Sequence, residues 1–116
     1  MYIDGYVYAV PKSGKQSFID YAQKTAELFV KYGAIRVVEC WGDHFDDAPD
    51  HANFSDAVKC KDDEQVMFSW CEWPDKQTRN ESFEAMMEEM TELGMTEMPF
   101  DGKRMIFGGF VPVVEA

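Results

Sequence analysis

The sequence predicts an α+β domain, a ferredoxin-like βαββαβ unit with a four-stranded antiparallel sheet and both helices on one sheet face. Two observations carry this. Apolar periodicity runs strand, helix, strand, strand, helix, strand along the 116 residues, and the right-handed crossover rule then places both helices on the same side. The strands also hold large side chains on more faces than two helices can cover, so the bare face calls for a second copy of the chain.

The first strand spans Tyr2 to Val10 and ends at Pro11. Side chains alternate across a strand, which separates Ile3, Gly5, Val7 and Ala9 from Tyr2, Asp4, Tyr6 and Tyr8. The small set is expected under the helices. Ser13 and Gln16 have the spacing of a capping box, and Phe18, Ala22, Thr25, Ala26 and Phe29 recur at helical spacing up to Gly33, the expected left-handed residue after the helix.

Ala34 to Gly42 reads as the second strand, with Ile35, Val37, Glu39 and Trp41 on one face and Arg36, Val38 and Cys40 on the other. An acidic, turn-rich loop follows, and Asn53 is placed to cap a short helical turn. Glu64 to Trp73 is the third strand, closed by Pro74. Asp75, or the box Thr78 to Glu81, caps the second long helix, whose expected buried stripe is Phe83, Met86, Met87, Met90 and Leu93. Gly94 ends that helix. Asp101-Gly102 is a turn dipeptide, and Met105 to Val114 reads as the last strand, thinned by Gly108-Gly109 where a bulge forms or another backbone comes close. The bare sheet face is expected to carry Tyr6, Tyr8, Trp41, Phe68 or Trp70, and Phe110.

No repeat, linker or low-complexity tract divides the chain, so residues 1–116 are expected to form one domain. The net charge of −11, with scattered cations, argues against a nucleic-acid partner. No secretory signal and no membrane-spanning apolar run is visible. Cys40, Cys60 and Cys71 lack any Cys-x-x-Cys spacing. Together these features point to a cytoplasmic protein with reduced thiols.

Met98-Pro99-Phe100-Asp101-Gly102-Lys103-Arg104 through Phe110 resembles the signature of the YbaA-like family of small bacterial proteins of unknown function. The resemblance extends to Asp4-Gly5, Arg36 to Trp41, Phe68-Ser69-Trp70, Pro74, Lys76 and Arg79, nearly the whole chain. Phe107 stands where Tyr is expected, and Asn80 where Asp is usual. The resemblance implies a homodimer of the dimeric α+β barrel type, and it supplies no catalytic residues.

The candidate ligand-binding set is Tyr6, Tyr8, Glu39, Trp41, Trp70 and Arg104: aromatic walls, a base and an anion clamp around a barrel cavity. The plainer reading makes the aromatics interface core and pairs Glu39 with a cation such as Arg104. Asp43, His44, Asp46, Asp47, Asp50 and His51 have neither metalloprotease nor Ca²⁺-loop spacing, so a solvated acidic loop is expected and no metal or other cofactor. Cys40 and Cys71 read as small core residues rather than nucleophiles. The function expected is a homodimer that binds a small aromatic or apolar molecule. A cofactor-independent oxygenase- or isomerase-like enzyme and a non-catalytic interaction or stress-related protein are the alternatives.

Overall fold

A computed structural model of the chain describes residues 1–46 and 48–116. Four strands, β1 (Tyr2–Pro11), β2 (Arg36–Trp41), β3 (Glu64–Trp73) and β4 (Ile106–Phe110), form one antiparallel sheet in the order β2-β3-β1-β4. Helices α1 (Lys15–Lys31) and α3 (Lys76–Glu92) join them, with the single turn α2 (Phe54–Ala57) before β3. This is the βαββαβ arrangement, and its central pair, β1 and β3, is ten residues long on each side.

Capping follows side-chain chemistry closely at two of the helix starts. The Asn53 side chain accepts from the Asp56 backbone N–H, and Asp75 accepts from that of Thr78; each satisfies a donor with no partner inside its helix. Gly33 takes φ +112° after α1, a conformation that side chains with a Cβ avoid. The Ser13 box does not form. Lys12–Gly14 makes a tight 3-10 turn, and Gly14 stands at the cap position without a side-chain bond.

The register fixes the sheet faces: Tyr6, Tyr8 and Trp41 lie on the face opposite to the expected one, whereas Phe68, Trp70 and Phe110 stand on the open face as expected. Tyr6, Ser69 and Glu39 lie opposite one another across three strands, as do Tyr8, Met67 and Trp41. These rows face the helices: Tyr8, Val10, Phe18, Ala22 and Met67 pack as one buried cluster, and Leu28, Cys71, Trp73 and Met86 as another. Helices stand well off a sheet, so large side chains fill the gap beneath them. The small residues Gly5 and Val7 lie on the open face, beside Phe68, Trp70 and Phe110.

Two apolar segments also depart from expectation. In α3 only Met86 is fully buried, while Phe83, Met87 and Leu93 are exposed. β4 ends at Phe110, and Val113 beyond it is 93% exposed. Pro112 offers no N–H to continue a ladder. A Cβ at Gly109 would fall 1.8 Å from the Tyr2 hydroxyl, so the present position of that ring depends on the glycine.

Candidate functional site

Between the sheet and its helices lies a cavity of about 290 Å³. Its floor is the helix-facing row of the sheet, with Tyr6, Tyr8, Glu39 and Ser69. Phe18 and Ala22 of α1 form one wall, and Met90 of α3 belongs to the other. Phe100, from the segment that leads into β4, stacks on Tyr8 with ring centroids 4.6 Å apart. Phe83, Met87 and Met98 line the cavity and are also exposed, so the mouth opens between α3 and the Met98 segment. Methionine side chains are flexible and adapt readily to varied shapes at such an opening.

The polar centre is a single pair. Tyr8, only 4% exposed, donates its hydroxyl proton to Glu39 Oε2 at 2.5 Å. These residues sit on β1 and β2 with β3 between them, a gap of roughly 10 Å. The small Ser69 of β3 leaves room for the two long side chains to meet above it. Glu39 is an exposed residue of the edge strand, and it lines an outer cleft beside Lys15 and Trp41 as well as the cavity. Partial loss of water raises its pKa, an effect offset by hydrogen bonding from Tyr8 and Ser69. Burial, and then the Glu39 charge, push the Tyr8 pKa far above the ordinary phenol range, so Tyr8 stays protonated. Burial and the Asp4 charge do the same for Tyr6.

Of the six residues proposed from sequence, Tyr6, Tyr8 and Glu39 come together in the cavity. Trp41 belongs to the outer cleft, where the Lys15 ammonium lies 4.7 Å from its ring centroid. Trp70 stands on the open sheet face, one residue out of phase with Ser69, and its indole N–H donates to Glu72. Arg104 is far from Glu39 in its bonding: it makes two bonds to Glu64, one to Asp101 and one to the Lys59 carbonyl. It is a tether for the Asp101-Gly102 turn, with little capacity left for an anion.

Sequence reasoning missed Phe18, Met90, Phe100 and Met105 as cavity walls. Helical spacing and the Phe100-Asp101-Gly102 turn marked several of them as structural, and a residue can serve both core and lumen. It also missed the buried Asp4, which accepts from Trp73 Nε1 and Arg79 Nε, both at 3.0 Å.

Among the described residues no three His, Cys, Asp or Glu side chains converge as a metal site; Asp47 of the acidic loop lies outside them. The Cys71 thiol, buried near Asp4, is pushed up to about 12, which suits a core residue and not a nucleophile. No helix among the described residues is long and apolar enough to cross a membrane.

Residues 1–102 match the model of a family described as protein of unknown function, DUF1428. The chain belongs to this family. It is 45% identical over 118 residues to the uncharacterised protein YbaA of Escherichia coli K12, covering 98% of this chain and 97% of that one, and the YbaA of Shigella flexneri matches equally. Among solved structures, a mutant of SnoaB, a cofactor-independent oxygenase from Streptomyces nogalater, superposes with a TM-score of 0.53. That likeness covers 98% of this chain and 95% of SnoaB at 14% identity, and it concerns the fold alone.

Proposed function

We propose that this DUF1428 protein is a cytoplasmic homodimer whose subunits each bind a small apolar or aromatic molecule between sheet and helices. The observation that carries the reading is the Tyr8–Glu39 pair, set in a cavity whose other walls are mostly aromatic and methionine side chains, with Ala22, Thr25 and Ser69 between them. An apolar space with a few convergent polar groups is the usual form of a small-molecule site. A core built only for stability would close such a space, because empty volume costs packing energy.

The dimer rests on the open sheet face. Phe68, Ile106 and Phe110 are exposed there around a trough of about 490 Å³ lined almost wholly by apolar side chains. Arg36 and Trp70 both bind Glu72 at one side of it, leaving the aromatic centre free of unpaired charge. A two-fold axis lets one such patch cover itself.

The experiment is a fluorescence titration with N-phenyl-1-naphthylamine, a small apolar dye, on wild type and on Ala22→Leu, which fills the lumen from α1. Saturable binding by the wild type, weakened at least tenfold in a folded Ala22→Leu variant, supports the reading. Equal binding by both proteins, or none by either, overturns it.

A second reading is enzymatic. A carboxylate whose pKa is raised by loss of water and which faces a ligand cavity is suited to accept a proton from a weakly acidic O–H or C–H group. SnoaB shows that a fold of this shape can carry cofactor-independent oxygenation. Turnover that is lost in Glu39→Gln while ligand binding persists would separate catalysis from binding.

A further inference from the structure

We propose that the cavity selects molecules that present a hydrogen-bond donor and carry no negative charge. The inference rests on the binding reading above and concerns the direction of one hydrogen bond. A phenol has a single proton to give, and Tyr8 gives its proton to Glu39. What Tyr8 can still offer the cavity is an oxygen lone pair that the Ser69 hydroxyl beside it does not take, so the group that meets it must be an O–H or N–H. The ionised acceptor behind Tyr8 strengthens this preference, because a hydroxyl that donates to an anion becomes a better acceptor itself.

Charge points the same way. Among the described residues none that lines the cavity is Lys, Arg or His, and Glu39 is the one carboxylate there. An anionic ligand would leave water for a site with no counter-charge and with a carboxylate nearby, which is costly. Arg104, the anion clamp expected from sequence, is spent on Glu64 and Asp101. Tyr6, two residues along the same face of β1, keeps its proton and can complement an acceptor elsewhere on the ligand.

Three probes of one shape test the proposal by calorimetric titration at neutral pH: 2-naphthol, 2-methoxynaphthalene and 2-naphthoate. The wild type is expected to bind 2-naphthol about tenfold more tightly than the methyl ether, the value of one hydrogen bond to a polarised partner, and to show no binding of the carboxylate. Glu39→Met frees the Tyr8 proton and removes the charge, so the tenfold gap closes and 2-naphthoate begins to bind. Wild type that binds the ether as well as the naphthol, or prefers the naphthoate, overturns the selectivity while leaving the cavity as a ligand site. Failure of all three probes overturns the binding reading along with it. The wild-type comparison decides the matter even if Glu39→Met fails to fold.

Discussion

Arg104 holds Glu64 with two parallel bonds of 2.7 and 2.8 Å, joining the turn before β4 to the first residue of β3. Both side chains are largely buried, at 14% and 7% exposure. The guanidinium holds the Glu64 carboxyl down to about 2. Because the folded pKa lies below the ordinary value of about 4.5, the folded state binds this proton less tightly than the unfolded chain. The stabilisation is therefore present above pH 4.5 and is lost as pH falls toward 2. Arg104→Met is expected to cost about 2–3 kcal/mol at pH 7, between the values for exposed and fully buried pairs. Urea titrations across pH should show that cost shrinking below pH 4.5; a constant difference would refute the linkage.

Asp4 supports a second buried charge pair, shared with Trp73 and Arg79. Asp4→Asn keeps the shape and removes the charge, leaving the Arg79 guanidinium without its counter-ion. A loss of about 2–3 kcal/mol is expected. Combining Asp4→Leu with Arg79→Met should cost less than the sum of the two single changes, since contacting charges couple. Additive costs in that cycle would show that the two residues do not act as a pair.

The open face yields a prediction about assembly. Phe68→Asp places a carboxylate on the wall of the apolar trough, where a sheet-to-sheet dimer would bury it without a counter-charge. Light scattering after size-exclusion chromatography is expected to report a dimer for the wild type and a monomer for Phe68→Asp, with helical circular dichroism retained. A wild-type monomer would remove the dimer from the proposed function.

The element order, the Asn53 and Asp75 caps and the Gly33 bend were legible because each depends on local chemistry. The choice of sheet face was not. Period-two alternation sorts Tyr6 and Tyr8 from Gly5 and Val7, but both sets are apolar enough to be covered, and only the distance from sheet to helix decides which lies beneath. The candidate site was half legible for the same reason. Glu39 stands opposite Ser69 in the register, so Trp70 must face away from it, and no composition rule reveals that parity. The pairing of Arg104 with Glu64 across forty residues was likewise hidden, since tertiary ion pairs follow no sequence period.

Glu39 should behave unlike Glu64 on titration. Its pKa is raised in the folded protein because loss of water outweighs the hydrogen bonds from Tyr8 and Ser69. The folded state then holds this proton more tightly than the unfolded chain does. Stability falls as pH rises between the unfolded and folded values, and the full cost persists above the folded one. Glu39→Gln can still accept from Tyr8 while carrying no charge, so it is expected to melt at a higher Tm than the wild type at pH 7. The difference should close below about pH 4.5, the ordinary value for a glutamate. A residue that lowers the stability of its own fold is a familiar mark of a functional site, and a bound donor ligand should recover part of the loss. Thermal melts of both proteins from pH 4 to 8 would check the sign: a wild type that melts above Glu39→Gln at pH 7 would make Glu39 an ordinary structural partner of Tyr8.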